Sequence, residues 1–471
     1  MSEARLSADR LLRRLAELAA VGDTGDGGCS RLALTDDDRR GRDLVAGWMR
    51  DLGLIVTIDA IGNVVGTQPG FDDGVAPVMC GSHIDTVATG GRYDGNYGVL
   101  AGLEVIEAVQ TAGVPLPRPL AVAFFTNEEG SRFAPDMLGS LAFVGGIAVE
   151  AAHDIVGIDG ARIGNELERI GYLGGAPLPA AAPHAFVELH IEQGPILAAE
   201  GTAIGAVTGV QGISWREFTV TGQSNHAGTT PMRLRRDPLL VAAETAVAVR
   251  RIVAEMGDPQ VGTIGRIDLD PNLVNVVARS ATFTVDLRNT DDALLRSAEA
   301  RVAEAIEYLA AAEGATVTSR PLARFEPVAF DETVVCLVET VARERGLTVR
   351  RMPSGAGHDA QMLARVCPTA MVFVPSVDGI SHNPAEHTAP ADLTAGAEVL
   401  VSADWAGFGE QRTRLLGEHA HLGPFLQRID VVVGGLEPVG EPVDDVVETR
   451  RLVLVVGRSG PAHQRQHGAQ V

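Results

Sequence analysis

Apolar positions recur along this chain with two different periods, and the places where the period changes outline its architecture. Leu6, Leu11, Leu12, Leu15 and Leu18 follow the helical repeat, which predicts an amphipathic helix over about Ser7 to Ala20. A second helix is expected from Thr35, an N-cap followed by Asp36, Asp37 and Asp38, through Val45, Trp48 and Met49 to Gly53. Two short strands, Leu54 to Ile58 and Val64 to Thr67, flank a Gly62-Asn63 turn. Fully apolar runs follow. Val75 to Met79 leads into Gly81-Ser82-His83-Ile84-Asp85, and Leu120 to Phe125 ends in Thr126-Asn127-Glu128-Glu129-Gly130. Between them Asn96 to Ala112 reads as a helix. A strand, a helix and a strand, each strand with polar groups at its end, predict a βαβ unit in a mostly parallel sheet. Ligands in such sheets gather beyond the carboxyl ends of the strands. His83, Asp94, Glu128 and Glu129 are therefore expected on one rim. Ala185 to Ile191 adds a strand carrying Glu188 and His190, with Glu192 just beyond.

The pattern then changes. From about residue 209 to 327 the expected order is strand (Trp215–Thr221), helix (Pro238–Met256), strand (Val261–Leu269), strand (Ala281–Asn289), helix (Asp292–Ala312) and strand (Ala315–Arg320). This βαββαβ order is ferredoxin-like. The fold class is thus α/β, with a catalytic domain in two parts, 1–208 and 328–408, interrupted by an inserted unit at 209–327. In the second part, a helix (Glu332–Gly346), a strand (Thr348–Met352), a buried strand (Ala370–Val374) and a closing helix (Leu393–Ala403) are expected. Periodicity fades in residues 409–471, which are expected to form a peripheral or poorly ordered tail.

Composition narrows the function. The chain has 471 residues, 45% hydrophobic and 21% charged, the range of an ordinary globular protein large enough for two or three domains. Lys and Arg number 39 against 61 Asp and Glu, a net charge of −22, which argues against nucleic acid or an anionic membrane as partner. Cys29, Cys80, Cys336 and Cys367 are scattered, with no CxxC pair, so no thiolate zinc site is expected. The N-terminus has no apolar signal region and no run approaches membrane-spanning length, so the expectation is a cytoplasmic enzyme.

Five side chains suit two divalent cations: His83, Asp94, Glu129, His190 and His382. Imidazole and carboxylate without thiolate favour Zn²⁺, Mn²⁺, Co²⁺ or Ni²⁺. Asp94, in a glycine-flanked turn, is the natural carboxylate to bridge them, and Asp85 can take the free ring N–H of His83. Singly, each of these residues reads as a turn former or a surface group; their joint placement at strand ends carries the argument. Two adjacent glutamates permit a division of labour, one holding metal and the other acting as general base on a water whose pKa falls from about 15.7 toward about 7. Spacing alone leaves open which is which; the base is assigned to Glu128 and the ligand role to Glu129. In the inserted unit, His226 can donate to a developing oxyanion. Asn275 and Arg288 suit a substrate carboxylate, although Arg288 reads equally well as the partner of Asp286.

Seven motifs, Gly-Ser-His-Ile-Asp-Thr-Val, Gly-Gly-Arg-Tyr-Asp-Gly, Asn-Glu-Glu-Gly-Ser-Arg-Phe, His-Ile-Glu-Gln-Gly-Pro, Asn-His-Ala-Gly-Thr-Thr-Pro-Met, Ser-Gly-Ala-Gly-His-Asp-Ala-Gln and Ser-His-Asn-Pro-Ala-Glu-His-Thr, occur in this order between Gly81 and Thr388, within a likeness that covers roughly residues 5 to 405. Together they resemble the dinuclear metallo-amidohydrolases of the M20 peptidase family. The likeness is greatest to the branch of N-carbamoyl-L-amino-acid hydrolases, β-ureidopropionases and allantoate amidohydrolases. The resemblance implies His83 and His190 on one metal, Glu129 and His382 on the other, Asp94 bridging, and Glu128 as base. It implies substrate contacts from Gln193, His226, Asn275, Arg288 and the backbone at Gly357. It also implies a homodimer through the inserted domain, with His226 serving the partner's site and the domains closing on a small ureido substrate. Within the branch, Val210-Gln211-Gly212-Ile213-Ser214-Trp215 looks like the carbamoylases and Tyr97 like the allantoate enzymes. The expected activity is N-carbamoyl-L-amino-acid hydrolysis, with allantoate amidohydrolysis as the alternative. A β-ureidopropionase or a non-catalytic member is the more remote reading.

Overall fold

The computed structural model describes residues 4–72 and 74–402, so the expected tail at 409–471 lies outside the described residues. Helix α1 (Ala8–Ala19) starts where Ser7 Oγ accepts from the Arg10 amide, and it buries Leu11, Leu15 and Leu18. Helix α2 (Asp36–Asp51) is capped by Thr35, whose three following aspartates sit at the positive end of the helix dipole. Strands β1 (Ile55–Ile58) and β2 (Val64–Thr67) pair antiparallel and lead to β3 (Val78–His83). Helix α3 (Asn96–Ala112) is buried along almost its whole length and returns the chain to β4 (Leu120–Phe125). Three short helices follow, α4 (Leu138–Phe143), α5 (Val149–His153) and α6 (Ile163–Ile170), none of which the periodicity announces. Then come β5 (Ala185–Ile191), α7 (Ile196–Glu200) and β6 (Ile204–Val210).

The next segment builds a separate sheet from β7 (Gly212–Thr221), β9 (Val261–Asp270), β11 (Ser280–Asn289) and β12 (Thr316–Phe325). Helices α8 (Pro238–Met256) and α9 (Asp292–Ala312) supply the crossovers, each started by an aspartate N-cap, Asp237 and Asp291. The order β12-β7-β11-β9, with every neighbour antiparallel, is the ferredoxin-like arrangement. Alternation along β11 puts Ala281, Phe283, Val285 and Leu287 into a core of its own with Val241, Val249, Leu295 and Val302. A two-stranded ladder, β8 (Asn225–His226) with β10 (Val276–Val277), stands apart from this sheet.

The chain then rejoins the first sheet through β13 (Val328–Ala329), α10 (Glu332–Glu344), β14 (Val349–Ser354), α11 (Asp359–Leu363), β15 (Thr369–Val374) and α12 (Pro390–Ser402). The nine strands run β1-β2-β4-β3-β5-β15-β6-β13, with β14 also on β6. The centre, β4-β3-β5-β15, is parallel; the flanks are antiparallel except for β14, which runs parallel to β6. Strands β3, β4, β5 and β15 are buried throughout, which is why β4 and β15 read as almost unbroken apolar runs. Strand β6 extends the first sheet two residues past the boundary expected at 208.

Buried charge ties the layers together. Glu104 on α3 is fully buried and receives Arg10 at 2.6 Å and Arg14 at 3.0 Å. Arg31, also fully buried, donates to the carbonyls of Ile84, Leu18 and Val21 and to Asn96 Oδ1. It thereby joins the segment after α1 to the loop beyond β3 and to the start of α3.

Candidate active site

Three parallel strands end side by side, and their carboxyl ends carry the site. β3 ends on His83, β5 carries His190, and the loop after β4 brings Glu128 and Glu129. Asp94 hangs between them from the turn before α3. That turn needs its glycines. Gly95 has φ +64°, and a β-carbon there would lie 2.4 Å from the His83 ring. A β-carbon on Gly91 would strike the carboxylate of Glu386.

Asp94 is the hub. Its Oδ1 lies 3.4 Å from His83 Nε2 and 3.2 Å from His190 Nε2, and its Oδ2 lies 3.4 Å from His382 Nε2. His382 Nε2 is also 3.3 Å from Glu129 Oε2, and His83 Nε2 is 3.4 Å from Glu128 Oε2. One carboxylate oxygen thus faces two imidazoles and the other faces the third. The expected ligands fall into two groups sharing Asp94: His83, Asp94 and His190; and Asp94, Glu129 and His382. The atoms of each group lie within 4.8 Å of one another.

Ring orientation decides which nitrogen is offered. Nδ1 of His83 lies 2.9 Å from the carbonyl of Asp85, and Nδ1 of His190 lies 2.9 Å from that of Ile191. A carbonyl only accepts, so Nδ1 carries the proton and Nε2 turns its lone pair to the site in the neutral ring. His190 Nε2 meanwhile receives the Gly95 amide at 3.1 Å. For Asp85 the expected contact is corrected in detail: its backbone carbonyl, and not its carboxylate, holds His83. The carboxylate instead accepts the amides of Glu128 and Glu129 at 3.2 and 3.3 Å, fixing the two-glutamate turn.

The electrostatics call for cations. Burial, with Asp94 nearby, pushes the Glu129 carboxyl up to about 8, and burial pushes Glu128 well above the usual carboxylate range. Burial likewise pushes Glu386 up to about 7, with Asp94 adding to it. Asp94 is held well below its ordinary value because three imidazoles outweigh its desolvation. The hydrogen bond to Asp94 raises His382 to about 9. This concentration of buried carboxylate has imidazoles around it and no thiolate, so the donor chemistry fits hard-to-borderline divalent cations. A third grouping, Glu188, His190 and His358, is already engaged by protein: Glu188 accepts from Ser82 and from the Ala360 amide, and His358 bonds Ser354.

The cleft in front has a volume of about 160 Å³. His83, Asp94, Glu128, Glu129, Gln193, Arg288, Gly357 and His382 line it together, and His190 lies behind Asp94. Gln193 donates its side-chain amide to Asp94 Oδ2 at 2.8 Å. Asn127, Gln193 and His382 all have φ between +54° and +58°. Such backbone costs on the order of 1–3 kcal/mol per residue and clusters at functional sites.

Arg288 lines the cleft and pairs with Asp286, its alternative reading. Its Nε and Nη2 bond Asp286, its Nη1 bonds the Gly355 carbonyl at 2.6 Å, and it stacks 5.8 Å from the Trp215 ring. Two of the five N–H donors of a guanidinium remain for a ligand. His226 and Asn275 do not line the cleft of their own chain. His226 is exposed on the β8–β10 ladder, its Nδ1 accepting the amides of Gly228 and Thr229, and the Asn275 carbonyl receives the Ala227 amide. The ladder projects from the second sheet, and that removes both side chains from the site.

Asp136, Trp215, Glu386 and Ser381 belong to the site and were not singled out by sequence reasoning. Glu386 follows His382 by four residues, a signal that was available. Its Oε1 accepts the amides of Tyr93 and Asp94, and its Oε2 accepts the Ser381 hydroxyl. Asp136 gave no signal. Burial pushes its carboxyl up, and Arg288 across the cleft partly offsets this. Tyr97 is fully buried, donates to the Leu393 carbonyl at 2.6 Å and does not line the cleft.

Known proteins resemble this chain over most of its length. The chain is 41% identical to the N-carbamoyl-L-amino-acid amidohydrolase of Rhizobium meliloti, over 85% of this chain and 96% of that protein. It is 36% identical to the allantoate amidohydrolase of Escherichia coli, over 82% of this chain and 94% of that protein. A crystal structure of an amidase of the hydantoinase/carbamoylase family from Burkholderia multivorans superposes with a TM-score of 0.82 at 45% identity. It covers 86% of this chain and 98% of that one. The model of peptidase family M20/M25/M40 matches residues 79–403. That stretch holds Asp94 and the four side chains grouped around it, and the chain belongs to peptidase family M20/M25/M40.

Proposed function

We propose that this chain hydrolyses the C–N bond of a linear ureido acid, in first place an N-carbamoyl-L-amino acid, to an L-amino acid, ammonia and carbon dioxide. The observation that carries the reading is Asp94 set among three imidazoles, with a second glutamate, Glu128, free to act on water and an arginine across the cleft. In this reading His83 and His190 hold one divalent ion, Glu129 and His382 the other, and Asp94 both. The ions are of the Zn²⁺, Mn²⁺, Co²⁺ or Ni²⁺ class. Bound there, they supply a Lewis acid that polarises the ureido carbonyl and acidifies water.

The chain's own groups do the rest. The free donors of Arg288 hold the substrate carboxylate, and Gln193 braces Asp94 while facing the ligand. Glu128 takes the proton of the attacking water and hands it to the leaving nitrogen, so that one water is consumed per ammonia released. His226 and Asn275 act across a homodimer formed through the 209–327 unit, each copy's ladder serving the other's cleft. Among the described residues no helix is long and apolar enough to cross a membrane, and the proposed setting is the cytoplasm.

The test is hydrolysis by the metal-loaded protein of N-carbamoyl-L-amino acids, β-ureidopropionate, allantoate and a dipeptide, run side by side, with ammonia read for the ureido acids and free amino acid for the dipeptide. Turnover of the ureido acids with the dipeptide untouched is expected. Cleavage of the dipeptide alone would refute the reading. The similarity to the Escherichia coli allantoate enzyme keeps allantoate as the second substrate to try.

A further inference from the structure

We propose that Asp136 reads the substrate's side chain, so that the cleft favours ureido acids bearing a further N–H donor, such as an amide or a second ureido group, over aliphatic ones. The inference deepens the ureido-acid reading and rests on it.

Asp136 sits on the loop between β4 and α4 and lines the same cleft as Glu128 and Arg288. Its carboxylate is partly withdrawn from water. Among the described residues, its own backbone amide is the one donor to it, no other side chain bonds it and no ion pair lies within 4.0 Å. Arg288 is near enough to be felt electrostatically, yet its guanidinium is turned to Asp286 and to the Gly355 carbonyl. The two groups therefore face one cleft without satisfying each other. Gly357 keeps the space before Asp136 open: a β-carbon there would meet the Met137 methyl at 2.9 Å and stand 3.8 Å from Asp136 Oδ2. A second acceptor is also short of a donor, since Gln193 Oε1 is buried without a partner while its amide nitrogen is spent on Asp94.

A ligand that places its carboxylate on Arg288 meets acceptors on the remaining walls. Covering an ionised, partly desolvated carboxylate with an aliphatic group removes water and returns nothing, whereas an N–H returns a charge-assisted hydrogen bond. Sites built to pair with a polar group discriminate strongly against analogues that lack it.

The experiment compares kcat/KM of wild type, Asp136→Ala and Asp136→Asn, all metal-loaded, on N-carbamoyl-L-asparagine, allantoate and N-carbamoyl-L-leucine. Wild type should favour the first two over leucine by about tenfold or more. Asp136→Ala should lower the first two by roughly 10–100-fold, mainly through KM, and leave leucine within about threefold. Asp136→Asn, which keeps an acceptor oxygen, should fall between and serves as the deciding variant if the alanine protein does not fold. An equal loss on all three substrates, no loss, or a wild-type preference for leucine would overturn the proposal. Absence of ammonia from every ureido acid with wild type would instead sink the ureido reading itself.

Discussion

Replacing Glu386 with alanine removes the anchor shared by two loops of the site. Its side chain is 4% exposed and lies flush against Gly91. Oε1 accepts the backbone amides of Tyr93 at 3.0 Å and Asp94 at 3.3 Å, and Oε2 accepts the Ser381 hydroxyl at 3.0 Å. In the alanine variant Ser381 still has Asp94 Oδ2 at 3.2 Å, so the hydroxyl is not stranded. The two amides are. Each buried donor left unpaired costs about 1–3 kcal/mol, for a total of roughly 2–6 kcal/mol. Glutamine keeps an oxygen for both amides and loses only the serine contact, about 1 kcal/mol. Because the tethered loops carry Asp94 and His382, metal affinity should fall about 10–100-fold in Glu386→Ala. Urea unfolding and calorimetric metal titration read the two effects separately. The reasoning is refuted if Glu386→Ala stays within about 1 kcal/mol of wild type with unchanged metal affinity. It is equally refuted if Glu386→Gln is as damaging as alanine, since charge and not anchoring would then be at stake.

Other changes separate the roles assigned around Asp94. Glu128→Gln should lower kcat by at least about 10²–10⁴-fold while bound metal, measured by mass spectrometry, is retained; full activity would remove Glu128 as base. Arg288→Ala deletes charge-assisted bonds worth about 1.5–3 kcal/mol and should raise KM for carboxylate substrates by roughly 10–150-fold. An unchanged KM would move the carboxylate clamp elsewhere. His226→Ala and Glu128→Gln should each be inactive alone. Mixed and allowed to exchange subunits, they should regain up to about a quarter of wild-type activity, because a mixed dimer holds one intact site. No recovery on proven exchange would place His226 in its own chain's cleft.

Much of this was legible because the central strands are buried on both faces. Almost unbroken apolar runs such as Leu120–Phe125 and Thr369–Val374 mark such strands, and the first polar residues after them fall on the rim. That rule found His83, Glu128 and Glu129; His190 was read from its place on the strand Ala185–Ile191. Strand β6 escaped it. Its Ile204-Gly-Ala-Val-Thr-Gly-Val is too rich in small residues to look like a strand, yet it is buried between β15 and β13. The short helices between Leu138 and Ile170 escaped as well, since one or two turns hold too few apolar positions to show a period. Asp85 illustrates a limit of spacing arguments. Two residues from His83 is the right distance for either its carbonyl or its carboxylate, and only the turn geometry decides. Asp136 and Arg288 meet across 152 residues through the packing of one sheet's loops on the other, which no local pattern encodes.

Arg31 carries a consequence for dissection of the protein. The family match begins at residue 79, which invites trimming everything before it. Yet the Arg31 amide donates to the Thr86 hydroxyl at 2.7 Å, and its guanidinium occupies the Ile84 carbonyl and Asn96 Oδ1 at 2.7 and 2.6 Å. These three residues frame the loop that presents His83 and Asp94. A fragment cut at residue 79 would lose the brace while keeping every proposed ligand. A fragment meant to keep the proposed site braced therefore has to reach back at least to Arg31, well outside the stretch by which its kin are recognised.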